Sequence, residues 1–292
     1  MSEPGTVDWR ALWSDTEASI GDRTKARWLC EVASGMGGDE FRASLDELAT
    51  ERMVAHLDAM LARLQIGEPL QYVLGTWAFR HVELIVDRRV LIPRPETEFV
   101  VDVAVELSKG RPRPIRLADL GTGSGAIGLS MAFELAFELP LDGVEVWLTD
   151  ASADALDVAR ANLTGLGRSA ANVRIAHGDW FEALPLGLVG SFDVIISNPP
   201  YVCDDDPSLE AVVRDWEPSS ALYGGPYGLD QIERLVAGAP RWLRGDGWLV
   251  LEIGASQGAA VRALFDEHGF DDVEIRPDLA GRDRVAIGRL SV

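Results

Sequence analysis

The chain has 292 residues, 47% hydrophobic and 25% charged, enough for two domains or one large domain with an extension. Its net charge of −20 excludes a broad phosphate-tracking surface, because nucleic-acid affinity rests on Lys and Arg, and favours a small molecule or a basic-faced protein as substrate. Cys30 and Cys203 are too few and too far apart for a disulfide framework or a zinc site, and no apolar run reaches the roughly 20 residues of a membrane span, so no metal and a reducing cytoplasm are expected.

The first residues, Met1-Ser2-Glu3-Pro4, are acidic and lack the apolar stretch of a secretory signal. Over residues 7–66 the spacing is helical. Leu45, Leu48, Met53, Leu57, Met60, Leu61 and Leu64 recur at threes and fours, with Asp39 and Ser44 as candidate N-caps. This predicts a small domain of four or five helices over 1–67, ended by Gly67-Glu68-Pro69. Its expected role is protein docking. Residues 68–98 read as a connector, in which loose alternation over 77–87 predicts a β-hairpin before the proline-punctuated segment 91–98. The remaining domain, 99–292, opens with a helix expected over 99–108 and a short basic linker.

From Ile115 onward, strands and helices alternate. Strands are predicted at 115–120, 144–149, 173–176, 192–197, 247–253, 273–275 and 285–289. Helices are predicted at 126–138, 153–163, 229–242 and 256–268. That alternation is the signature of an α/β fold with a doubly wound sheet, whose chemistry sits beyond the strands' C-terminal ends.

Asp119-Leu120-Gly121-Thr122-Gly123-Ser124-Gly125 ends the first of these strands and opens a helix. Glycines admit a ligand close to the backbone, and the helix start offers free N–H groups. Gly123 to Gly128 also fits G-x-G-x-x-G, which keeps a dinucleotide site open. Asp150, ending the second strand, suits two ribose hydroxyls with either ligand. Gly178-Asp179-Trp180 after the third strand favours an adenosyl ligand without a pyrophosphate: Asp179 for the adenine amino group, Trp180 beside the ring.

Asn198-Pro199-Pro200-Tyr201 closes the strand 192–197. Two prolines fix two φ angles and remove two N–H donors, so this turn's backbone offers acceptors, and Asn198 adds a side-chain carbonyl. Such a turn suits an incoming –NH2 group, with the Tyr201 ring available to a flat substrate. His56, His81, His177 and His268 are scattered, and Cys203 reads as a small packed residue. Glu96 and Glu98 fit either the site wall or a helix start behind Pro95.

Asp119 to Gly125 is similar to the cofactor loop of class I S-adenosyl-L-methionine-dependent methyltransferases, and Asn198 to Tyr201 resembles the motif of those that methylate planar nitrogens. The segment Leu91-Ile92-Pro93-Arg94-Pro95-Glu96-Thr97-Glu98, with Glu68-Pro69-Leu70-Gln71-Tyr72 and Leu74-Gly75, resembles the release factor glutamine N5-methyltransferases. Trp216-Glu217-Pro218, Leu251-Glu252-Ile253-Gly254 with Gln257, and Asp283-Arg284-Val285 extend the likeness over nearly the whole chain.

The resemblance implies a seven-stranded class I sheet and methylation of the glutamine in the Gly-Gly-Gln loop of bacterial peptide chain release factors. It further implies S-adenosyl-L-methionine held by Gly121, Thr122, Gly123, Ser124, Gly125, Asp150, Trp180 and Asn198, to which the reading of the residues adds Asp179. The substrate amide falls to Asn198, Pro199, Pro200 and Tyr201, with Asn198, Pro199 and Tyr201 as the catalytic set. The enzyme is expected to be a monomer without membrane or direct nucleic-acid binding. Arg80-His81, Trp216 and Tyr227 depart from the family pattern outside that cradle. Three other readings stay open: an N-methyltransferase acting on another protein glutamine or on an exocyclic base amine, a dinucleotide-dependent oxidoreductase, and a non-catalytic adaptor.

Overall fold

The computed structural model describes residues 7–138 and 143–291; the Met1-Ser2-Glu3-Pro4 segment lies outside them. The chain divides between Thr76 and Trp77 into two compact units.

The first unit holds α1 (Trp9–Ile20), α2 (Arg23–Ser34), α3 (Gly38–Ala43), α4 (Glu51–Gln65) and α5 (Leu70–Leu74). Each of the three long helices starts at a side chain that accepts a free backbone N–H of the first turn: Asp8 for α1, Asp22 for α2 and Thr50 for α4. The expected caps Asp39 and Ser44 do otherwise. Asp39 lies inside the first turn of α3, where its charge favours the helix dipole, and Ser44 follows the helix's last residue. Trp9, Leu29, Phe41, Leu57 and Met60 fill this unit's core. Leu48 is 60% exposed, because it lies in the segment between α3 and α4, bridged to Asp8, rather than on α4 with Met53, Leu57, Met60, Leu61 and Leu64.

The second unit opens on the expected hairpin, β1 (Thr76–Phe79) and β2 (Val82–Ile85). Arg80 occupies the turn in the left-handed region at φ 52°. Its guanidinium bonds Glu134 and Asp102, and its N–H donates to Glu98. The Arg80-His81 departure thus carries a charged clamp on the hairpin. Then come α6 (Pro95–Ser108), β3 (Ile115–Leu120), α7 (Ala126–Glu138), β4 (Val144–Asp150), α8 (Ala153–Gly165), β5 (Val173–His177), β6 (Phe192–Ser197), α9 (Ala211–Trp216), α10 (Asp230–Trp242), β7 (Leu243–Glu252), α11 (Gly258–Glu267), β8 (Phe270–Pro277) and β9 (Asp283–Leu290). Helix α6 begins four residues before the expected Phe99, since Pro95 takes the first helical position, where a missing N–H costs nothing.

Seven strands form one sheet in the order β5-β4-β3-β6-β7-β9-β8. The first five run parallel, and β9 is antiparallel to both neighbours. Every residue of β6 is buried, as expected of a parallel strand covered on both faces. From α10, Ile232, Leu235, Val236, Ala239 and Trp242 join Leu120, Ile195 and Leu249 in the core. The chain steps from β3 to β4 on one side and later returns to lay β6 on the other. A crevice therefore opens beyond the C-terminal ends of β3, β4 and β6.

Candidate active site

A cavity of about 360 Å³ occupies that crevice, within the range of small-molecule sites. Its walls include Gly121 to Ser124 after β3, Asp150 at the end of β4, Asp179 and Trp180 after β5, and Asn198 and Pro200 after β6. Gly125, Pro199 and Tyr201 do not line it. Pro199 is buried, and Gly125, at φ 88°, packs against Leu129.

The glycine loop is held from below by a buried carboxyl. Asp119 Oδ2 accepts the Thr122 hydroxyl at 2.5 Å and the Gly128 N–H at 2.9 Å, while its Oδ1 has no hydrogen-bond partner among the described residues. Burial pushes this carboxyl up to about 6. Gly128 fits because a Cβ there would lie 2.0 Å from a Leu148 methyl. The last glycine of the literal dinucleotide fingerprint is thus explained by close helix–sheet packing.

Two further groups brace the loop. Asp150 Oδ2 accepts the Gly123 N–H at 2.9 Å and Oδ1 accepts the Ser152 N–H at 2.8 Å. Each oxygen keeps a lone pair for a ligand hydroxyl, and burial raises this carboxyl as well. Asn162 of α8 donates to the Ser124 carbonyl at 2.8 Å and exchanges two hydrogen bonds with Ile85, which ties β2 to the loop.

Across the cavity, the Trp180 ring approaches Gly121 so closely that a Cβ there would lie 3.0 Å from it. Trp180 sits at φ 47°, held by its indole N–H donating to Gln231 at 3.0 Å. Arg234 bonds both Gln231 and Asp179, so one oxygen of Asp179 is already engaged. The donor set fits S-adenosylmethionine: a carboxylate with free lone pairs, a flat indole wall and a loop without side chains where the ligand must pass.

The Tyr201 side chain departs from expectation. Its ring packs against the core, and its hydroxyl donates to Glu252 Oε1 at 3.0 Å, so it does not face a substrate in the cavity. Burial raises the Tyr201 hydroxyl far above its ordinary range. Glu96 and Glu98 stand in the first turn of α6, where they do not line the cavity; Thr97, between them, does. Thr97 Oγ1 donates to Glu252 Oε2 at 2.7 Å and lies 3.3 Å from Asn198 Nδ2. Sequence reasoning missed Thr97, Glu252, Asn162 and Gln231 as site residues; Thr97 and Glu252 stood within the segments that carry the resemblance. Cys203 is half-buried and away from the cavity wall. Tyr227 is 78% exposed, and Arg88 lies over the Trp216 ring.

Residues 16–75 match the PrmC N-terminal domain family and residues 104–214 the methyltransferase small domain family. The chain is 44% identical to a release factor glutamine methyltransferase of Xylella fastidiosa over 79% of this chain and 80% of that protein. It is 40% identical to one of Burkholderia pseudomallei over 94% of each. A crystal structure of a methyltransferase from Pyrococcus furiosus shares the fold, with a TM-score of 0.52 at 19% identity over 80% of this chain and all of that one.

Proposed function

The chain belongs to the release factor glutamine methyltransferase family, and we propose that its cavity performs that reaction through Asn198. The enzyme methylates the release factor glutamine on its side-chain amide nitrogen, with S-adenosyl-L-methionine as methyl donor. The observation that carries the site assignment is one shared cavity, whose walls include Asn198, the glycine loop and Asp150.

S-adenosyl-L-methionine supplies an electrophilic methyl group on a sulfonium. Gly121 to Ser124 would accommodate its main body, Asp150 would take the ribose hydroxyls, and Asp179 and Trp180 would take the adenine. On the substrate side the difficulty is electronic, because an amide nitrogen shares its lone pair with the carbonyl. Asn198 Oδ1 and the backbone carbonyl of Pro199, which stands between the wall residues Asn198 and Pro200, accept the two N–H protons of the substrate amide, which fixes the nitrogen and favours partial pyramidalisation. Orientation of this kind is worth roughly 7–11 kcal/mol in favourable systems. As positive charge grows on the nitrogen, the same acceptors hold it more strongly, so the gain falls on the transition state. Among the described residues no His or Lys lines the cavity, and the product nitrogen, once cationic, is acidic enough to release its proton to solvent.

Further readings concern assembly and surroundings. The helical unit is the release-factor docking element, the enzyme is a monomer of the cytoplasm, and it does not bind nucleic acid directly. The net charge of −20 supports the last point, and no helix among the described residues is long and apolar enough to cross a membrane. Mass spectrometry of a release factor incubated with enzyme and S-adenosyl-L-methionine tests the activity. One added methyl on the Gly-Gly-Gln glutamine is expected; methylation of RNA or DNA with none on the protein would overturn it.

A further inference from the structure

Asn198 meets the cavity at the end of a buried chain of polar groups drawn from three elements. Glu252 is the last residue of β7, and Thr97 lies in the first turn of α6; they are 1% and 3% exposed. The Glu252 carboxyl receives two hydroxyls, Tyr201 on Oε1 at 3.0 Å and Thr97 on Oε2 at 2.7 Å. Thr97 Oγ1 then faces the Asn198 side-chain amide at 3.3 Å.

Burial raises the Glu252 carboxyl; with it ionised and accepting both hydroxyls, the order of donors along this chain is set. An ionised carboxylate is acceptor-only, and a hydroxyl has one proton to give. Thr97 gives its proton to Glu252, so toward Asn198 it can only accept. Asn198 must then turn its NH2 to Thr97 and its Oδ1 the other way. Which amide atom faces Thr97 thus follows from the donors available, the criterion by which carboxamides are oriented.

We propose that Glu252 and Thr97 are positioning residues that lock the Asn198 carboxamide with Oδ1 presented to the substrate nitrogen. This deepens the function proposed above and rests on it. Without the lock, Asn198 can rotate and offer two N–H donors to a substrate that itself brings two N–H donors, which is repulsive. Through Glu252, β7 supports a cavity that its own residues do not line. A buried carboxylate behind Thr97 polarises the chain toward Asn198, adding electron density at Oδ1 where positive charge develops.

The test compares Thr97→Val, which removes the hydroxyl at nearly constant volume, with Thr97→Ser, which restores it. Thr97→Val should lower kcat for release factor methylation by about 10–10²-fold, with S-adenosyl-L-methionine affinity within about threefold of wild type. Thr97→Ser should return kcat to within about threefold of wild type, a rescue that a packing role would not give. The Asn198 side-chain amide resonance, identified by its loss in Asn198→Ala, should shift in Thr97→Val and return in Thr97→Ser. Wild-type kcat in Thr97→Val, or equal losses in the Val and Ser variants, would overturn the proposal. If Thr97→Val does not fold, Glu252→Gln decides: its kcat should fall about tenfold, and wild-type turnover would contradict the lock. The amide resonance is read on the enzyme alone. It therefore tests the lock even if wild-type enzyme leaves release factor unmethylated, an outcome that would refute the proposed function instead.

Discussion

The Ser197 hydroxyl donates to the Leu120 carbonyl at 2.6 Å, bridging the ends of β6 and β3 immediately before Asn198 and Gly121. Both groups are buried, and the bond sets the spacing between the loop assigned to the cofactor and the turn assigned to the substrate. Ser197→Ala leaves the Leu120 carbonyl without this partner and should cost about 1–3 kcal/mol in urea unfolding. Turnover should fall more than S-adenosyl-L-methionine affinity, because the distance between the two half-sites is what changes. Unchanged stability and kcat would show that the bridge does not set that spacing.

Asp150 anchors the glycine loop through the Gly123 N–H and is the residue proposed to hold the ribose. Asp150→Ala removes the acceptor of the Gly123 N–H together with the proposed ribose contact. Calorimetric titration should show S-adenosyl-L-methionine affinity weakened by about 10²-fold, the scale of hydrogen bonds to a charged acceptor. Affinity within threefold of wild type would remove Asp150 from the cofactor site.

Asp119 gives the ligand-free enzyme a pH dependence of defined sign. Its carboxyl is raised from 3.8 to about 6 in the folded protein, chiefly by burial. Between these values the folded state binds more protons than the unfolded state, so stability falls as pH rises. The contribution is fully present below 3.8 and is lost as pH passes through about 6. Relative to Asp119→Asn, wild type should lose about 2 kcal/mol between pH 4 and pH 7. Urea unfolding of both proteins across that range provides the comparison, and parallel profiles would show that Asp119 does not titrate there.

Much of this was legible in the sequence, for physical reasons. Gly121 to Ser124, Asp150 and Asn198, which share the cavity wall, stand out because their features are local: a glycine-rich loop, an acid ending a strand, an amide before two prolines. The strand and helix alternation likewise appears in short windows. Thr97 and Glu252 lie 155 positions apart, and Thr97 and Asn198 lie 101 apart, so their contact exists only once α6, β6 and β7 have packed. Tyr201 shows the complementary error. Its residue type suits a flat substrate, yet the buried Glu252 carboxyl claims its hydroxyl and turns the ring into the core. The choice between Glu96, Thr97 and Glu98 needed the start of α6 at Pro95, which decides the residue that turns inward.

The most direct measurement is single-turnover methylation of a release factor by Asn198→Ala, set beside its S-adenosyl-L-methionine affinity. Loss of the amide acceptor should lower the rate of methyl transfer by about 10²-fold or more while affinity falls far less. Near-normal transfer by Asn198→Ala would contradict the claim that this carboxamide holds the substrate nitrogen.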